Sequence, residues 1–243
     1  MPPLPTHDEA TDSRALIARA LPLIELFSSW PDQRLDELMR SARLERYTRR
    51  TQLLSQDPLK RELMAVVSGC LEISSSSRHG RKYVNALLGP GQVAPLVRLL
   101  EDVPLPYDYH AHEDSVIVHL PCDAVVAVLD AEPVLWRGVA RLGLRRQRQS
   151  VALLQNQMLA PVPGRVAATL LSLAEIYGAQ QDQGGLDLRV RLSQNDLASM
   201  LTLSRQTINK ELGRLVAQGV IELSYKRISI LDAQALRRIA ATP

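Results

Sequence analysis

The run from Ser193 to Leu212, SQNDLASMLTLSRQTINKEL, constrains the fold of this chain more than any other stretch. Ser193 with Asp196 fits a capping box, in which a hydroxyl and a carboxylate satisfy the free amides at a helix start. Leu197, Met200 and Leu201 then share one face of that first helix. Ser204 can cap a second helix, whose buried face is Ile208, Leu212, Leu215 and Val216. Two short helices joined by a tight turn leave Arg205, Gln206, Asn209 and Lys210 facing outward. These side chains carry the donors and acceptors that a recognition helix presents to base edges in the major groove. The pattern predicts contact with DNA.

Charge agrees with that expectation. The net charge of the whole chain is only +3. From Arg189 to Arg238, however, nine Lys/Arg stand against four Asp/Glu, a net +5. A basic module suits phosphate contact. A solvated surface would account for the charge alone, but not for the charge and the helix pattern together. The chain has 243 residues, enough for two domains with separate cores. No apolar run approaches the ~20 residues of a membrane span. The start, Met1 to Ala10, is proline-rich with Asp8 and Glu9, unlike a signal or transit peptide. The expected setting is cytoplasmic, with no membrane contact. Cys70 and Cys122 are too few for a disulfide framework or, alone, an iron–sulfur cluster. Both are expected as small apolar residues in strands.

Upstream, short helical patterns surround Leu16, Ile17 and Leu21, and then Leu35, Leu38 and Met39. From about Leu53 to Leu129 the pattern is that of an antiparallel β-domain. Leu63 to Ile73 is an apolar run broken at Ser68-Gly69, as two strands with a tight connection. Ser74 to Gly80 reads as a polar hairpin turn, and Tyr83 to Leu88 as a strand ending at Gly89-Pro90-Gly91. Val116 to Leu120 and Ala124 to Leu129 continue the apolar segments. Short strands with Gly/Pro turns fit a small barrel or jelly roll.

A long helix is predicted from Glu132 to about Leu159. Ala140, Leu144, Gln147, Val151, Leu154 and Met158 follow the four-three spacing of a two-stranded coiled coil, which favours a homodimer over a helix buried in its own domain. Leu135, Val139, Leu142 and Leu153 lie on another side, suited to packing on the β-domain. Arg145, Arg146 and Arg148 read as a solvated stretch. Pro161-Val162-Pro163-Gly164 marks a break between domains. Arg165 to Tyr177 follows as an amphipathic helix with Val166, Leu170, Leu173 and Ala174 inward, and Gln180 to Gly185 as a loop. After the helix-turn-helix, Val220 to Leu223 and Arg227 to Leu231 form a hairpin with Ser224-Tyr225-Lys226 at its tip, making a winged helix.

This order of β-domain, long helix and winged helix resembles the Crp/Fnr family of bacterial transcription regulators. Three blocks carry the likeness. LMAVVSGCLEI (Leu63 to Ile73), with LLGPGQ (Leu87 to Gln92), looks like the strand–Gly–strand of a cyclic-nucleotide-binding-type β-roll. GRVAATLL (Gly164 to Leu171) looks like the first helix of the family's DNA-binding domain. Leu192 to Ile230 matches its helix-turn-helix and wing. The likeness spans nearly the whole chain from about Phe27. It implies an α+β fold with an N-terminal arm (1–26), a jelly-roll-like β-roll sensor domain (27–130), a dimerisation helix (131–160) and a winged helix-turn-helix (161–243).

By position the resemblance makes Arg205, Gln206, Asn209 and Lys210 the base contacts, with Arg205 suited to guanine, Gln206 to adenine, and Lys210 able to serve a base or a phosphate. It makes Ser193, Asn195, Ser204, Thr207 and Lys226 phosphate contacts, which set register rather than sequence. Thr202 stands where the family usually has glycine, so the turn is expected to differ slightly. A larger departure lies in the phosphate-binding cassette. The family's cyclic-nucleotide binders use a glutamate and then an arginine followed by a small residue. In the corresponding stretch, Gln92 to Asp108, the glutamate of the family's glycine-glutamate loop is missing, Leu105-Pro106-Tyr107 replaces the arginine, and Arg98 comes too early. Classical cyclic AMP control is therefore not expected.

Tyr107, Tyr109 and Ser150 are the candidate effector-pocket residues; packing is the competing role for the tyrosines. His110 and His112 alternate along a strand, a spacing that metal or haem ligands can use, but hydrogen-bonded histidines are the commoner case. No metal or cofactor is expected. One alternative is a sensor of cyclic mono- or dinucleotides, or another small ligand, whose binding controls DNA contact. In another, the β-roll binds nothing and serves dimerisation and contact with RNA polymerase. The sequence lacks a phosphate-binding Gly-rich loop with lysine, Gly-x-Ser-x-Gly and paired zinc ligands, so an enzyme is not expected.

Overall fold

The computed structural model describes residues 7–54, 61–180, 185–225 and 227–241. The chain divides into two compact units, one of Met1–Ile73 with Leu87–Arg146 and one of Ser74–Ala86 with Gln147–Pro243. It opens with helices α1 (His7–Ala20) and α2 (Asp32–Met39). Eight strands follow: β1 (Arg43–Tyr47), β2 (Gln52–Leu54), β3 (Glu62–Ser68), β4 (Leu71–Ser76), β5 (Lys82–Leu88), β6 (Val93–Ala94), β7 (Asp108–Ala111) and β8 (Ser115–Pro121). They form two sheets, of order β1-β8-β3-β6 and β2-β7-β4-β5, which is the expected β-roll. Leu63, Met64, Ala65 and Val66 of β3 are all buried, so this strand is covered on both faces and reads as a continuous apolar run. It pairs antiparallel with β8, Leu63 opposite Leu120 and Ala65 opposite Val118.

Next come α3 (Cys122–Ala131) and the long α4 (Trp136–Leu159). The core of the first unit joins Leu21, Phe27, Trp30 and Leu38 to Leu63, Val118, Leu120, Val125 and Leu129. Phe27 and Trp30 meet edge to face, ring centres 4.9 Å apart. Val139 and Leu142 of α4 join the same cluster, as expected of the helix face turned to the β-domain, and so does Leu135, which lies in a short 3-10 turn (Pro133–Leu135) just before α4.

Several expectations need correction. Ala124 to Leu129 belongs to α3 and not to a strand, because Cys122, Val125, Val128 and Leu129 recur at helical spacing on one buried face. Both cysteines are buried, but Cys70 lies between β3 and β4 and Cys122 opens α3. Burial pushes the Cys122 thiol up to about 11. Strand β4 runs on to Ser76, and the turn is closed later, by Ser77 N–H to Arg81 O at 2.8 Å. Leu153 is 40% exposed and does not join the core of the β-domain. Arg146 is not solvated: its guanidinium donates to Glu25 at 2.5 Å and to the Val93 carbonyl at 2.6 Å.

The second unit holds α5 (Val162–Tyr177), β9 (Gly178–Gln180), β10 (Leu186–Leu188), α6 (Gln194–Leu201), α7 (Arg205–Ala217), β11 (Ile221–Ser224), β12 (Arg227–Ile230) and α8 (Ala233–Ala240). Val166, Leu170 and Leu173 of α5 are buried as read, while Ala174 is half-buried. The sheet order is β11-β12-β10-β9, so the wing hairpin extends into a second hairpin. The expected loop from Gln180 therefore begins inside β9; residues 181–184 lie outside the described ones. Helix α8, which the sequence reading had not separated, packs along α5 with Leu236 fully buried. No helix among the described residues is long and apolar enough to cross a membrane.

Candidate nucleic-acid interface

The capping box forms as the sequence requires. Ser193 Oγ accepts from Asp196 N–H at 3.2 Å, and Asp196 Oδ2 accepts from Ser193 N–H at 2.7 Å. Each satisfies an amide that the first turn of α6 would otherwise leave open. Leu197 and Leu201 are buried and Met200 is half-buried. The helix ends at Thr202, which takes the left-handed conformation at φ 54°, ψ 35°. The turn thus keeps a left-handed residue despite the β-branch, stabilised by Thr202 Oγ1 donating to Leu201 O at 2.7 Å. That conformation costs a non-glycine residue roughly 1–2 kcal/mol. Thr202→Gly is expected to raise the urea midpoint, with a net gain of about 1 kcal/mol after the lost hydroxyl bond. A fall would show that the bond outweighs the strain.

Helix α7 starts at the Ser204 cap, whose Oγ accepts from Thr207 N–H at 3.0 Å. Ile208, Leu212 and Leu215 are buried, whereas Val216 is 41% exposed, against expectation. The buried stripe ends at Leu215, and Glu211, also buried, pairs instead with Arg214 at 3.1 Å. Burying that face turns Arg205, Gln206, Asn209 and Lys210 outward together, and all four are exposed. Asn195 and Ser204 are exposed, and Ser193 and Thr207 half-buried. Lys226 lies outside the described residues.

A recess of about 470 Å³ opens between the start of α6, Arg205 and the wing. Among its described lining residues are Ser193, Gln194, Asn195, Tyr225 and Arg227, and none of them is a carboxylate. Tyr225 at the wing tip is 87% exposed. Arg165 of α5 donates to the Leu201 carbonyl, and Gln157 of α4 donates to Met200 O at 3.2 Å. The end of the long helix is thereby tied to α6. The sequence reading missed Gln194, whose amide touches both Arg205 and Asn209. Its only sequence signal is its place one residue after the capping serine.

The other candidate residues are dispersed. Tyr109 is buried and meets Tyr107 edge to face at 5.8 Å. Burial raises the Tyr109 hydroxyl well above its usual range, with Tyr107 adding to it and Arg146 and Arg98 opposing. Leu105 is buried, and so is Arg98, in a short 3-10 turn over Leu96–Leu99. Ser150 lies on an exposed face of α4 and falls in the other unit. His110 is half-buried in β7. His112 follows that strand and is buried, its Nδ1 3.4 Å from Glu72. Among the described residues no three His, Cys, Asp or Glu side chains are grouped to hold a metal ion.

Comparison with known proteins matches each unit of this arrangement. The cyclic nucleotide-binding domain family matches residues 44–132, and the Crp-like helix-turn-helix domain family matches residues 164–239. The CRP-like cAMP-activated global transcriptional regulator of Mycobacterium tuberculosis is 28% identical over 73% of this chain and 79% of its own length. The HTH-type transcriptional regulator Cmr of the same organism is 31% identical over 70% of this chain and 64% of its own. In fold, the structure of FixK2 from Bradyrhizobium japonicum superposes with a TM-score of 0.74 over 83% of this chain and 98% of that one, at 18% identity. With a cyclic-nucleotide-binding-type β-roll, a long helix and a Crp-like winged helix in this order, the chain belongs to the Crp/Fnr family of transcription regulators.

Proposed function

We propose that two copies of this chain join along α4 and read a pseudo-palindromic DNA site, one α7 helix in each of two successive major grooves ~34 Å apart. The carrying observation is that two faces are left open at once. The α7 face of Arg205, Gln206, Asn209 and Lys210 is wholly outward, and every residue of the four-three stripe on α4 is exposed. An apolar stripe of that spacing calls for a second helix. Arg205 pairs with guanine O6 and N7, with Gln206, Asn209 and Lys210 as the further base contacts. Ser193, Asn195, Ser204, Thr207 and Lys226 hold phosphates. The working division is an arm (1–26), a sensor (27–130), a dimerisation helix (131–160) and a reader (161–243). The regulator acts in the cytoplasm, with RNA polymerase as a further partner.

The test is selection from a randomised duplex library. A two-fold symmetric consensus with half-sites one helical turn apart is expected. Arg205→Ala should remove preference at one symmetric position, about 1–3 kcal/mol of discrimination. Salt-sensitive binding with no consensus would overturn the reading.

For the input, a ligand other than cyclic AMP fits best. Pro106 and its buried neighbour Leu105 stand where an anionic phosphate would need an arginine beside free amides. The β-roll still matches the cyclic nucleotide-binding domain family, which supports control by some small molecule.

A further inference from the structure

We propose that Gln194 is a positioning residue that sets how Arg205 and Asn209 face the bases, and so fixes base preference at two positions of each half-site. This rests on α7 being the base-reading helix. Gln194 is the first residue of α6, and its side chain crosses to α7. Its Oε1 accepts from Arg205 Nε–H at 3.3 Å, and its Nε2 donates to Asn209 Oδ1 at 2.8 Å. Chemistry dictates the direction of both bonds. A guanidinium has donors only, so the amide atom facing it must be the oxygen. That turns the Gln194 amino group toward Asn209, which must then present its own oxygen. One donor-only group orients two amides in series.

The consequence is a defined pattern of donors toward the groove. Among the described residues Arg205 spends only its Nε–H inside the protein and keeps the Nη fork that matches guanine O6 and N7. Asn209 directs its amino group outward. A free asparagine uses both oxygen and amino group on adenine. A clamped Asn209 offers donors, which suit purine N7, guanine O6 or thymine O4 and oppose the amino group of cytosine. Arg205 and Asn209 lie one helical turn apart on α7, so they address neighbouring base pairs. Holding both side chains in place before DNA arrives also lowers the ordering cost of binding.

The test compares base preference at every position for the parent, Gln194→Ala and Gln194→Glu, by selection from a randomised library. Gln194→Ala should lower discrimination against cytosine at the Asn209 position about five- to tenfold. Its salt dependence and unfolding midpoint should be unchanged. Gln194→Glu retains an acceptor for Arg205 but has no donor for Asn209. Asn209 then turns its amino group inward and its oxygen outward. Preference at that position should move toward cytosine or adenine, whose amino groups lie in the groove, while guanine persists at the Arg205 position. A purely structural role would not exchange one class of base for another. Identical preferences in all three proteins overturn the proposal. Arg205→Ala and Asn209→Ala, run alongside, separate the two levels. If they alter preference and the Gln194 variants do not, only the clamp is wrong; if they alter nothing, the reading of α7 falls and the clamp with it.

Discussion

Aspartate at both Leu144 and Leu154 is expected to lower affinity for a full palindromic site about 10²–10⁴-fold, while binding to an isolated half-site stays the same. The two leucines are 61% and 59% exposed within one chain, so the substitution removes no core packing from the protomer. They occupy both positions of the four-three stripe, where each side chain is expected to enter a hole on the partner helix. A carboxylate there must be desolvated beside its symmetry mate, which the dimer cannot compensate. Losing the dimer makes the second half-site encounter bimolecular again, and that accounts for the size of the effect. Sedimentation should report a single chain of 27.0 kDa with an unchanged unfolding midpoint. A variant that still sediments as a dimer and binds the full site like the parent would remove α4 as the seam.

Legibility in the sequence followed the range of each interaction. The capping box, the two faces of α7 (Val216 apart) and the strand break at Gly69 are set by neighbours a few residues apart and are legible in the pattern. Helix α3 was lost because Ala124 to Leu129 is a short apolar run that fits either period. Only with Cys122 and Val125 counted from the end of β8 does the helical spacing emerge. Arg146 read as one of several solvated arginines, yet its partners Glu25 and the Val93 carbonyl come from distant parts of the chain. Gln194 was missed for the same reason: its meaning lies in a contact across two helices. Thr202 teaches the reverse lesson. The local rule against a left-handed threonine was sound as energetics, but the packing of α6 and α7 imposes the conformation regardless.

Gly69→Ala should destabilise the β-roll by about 2–5 kcal/mol, and Gly80→Ala by only about 1–2 kcal/mol. Both glycines have left-handed backbones, φ +84° and +73°, so both variants meet the same conformational strain. What differs is space. A Cβ at Gly80 meets nothing within 4 Å, whereas one at Gly69 would lie 2.4 Å from the Asp114 carbonyl oxygen and 2.7 Å from Ser115 Cα. Those are backbone atoms and cannot swing aside. Gly69 sits where the chain leaves the sheet of β3 for the sheet of β4, and it is stacked on the return crossing from β7 to β8. The two crossings are fastened by Ser115 Oγ, which accepts from Cys70 N–H at 3.1 Å, and by His112 N–H donating to Cys70 O at 2.8 Å. Pushing them apart strains these bonds as well as the turn. Urea denaturation of the two variants gives the comparison directly. Equal losses would show that strain alone governs Gly69 and that the close crossing of the two sheets carries no stability.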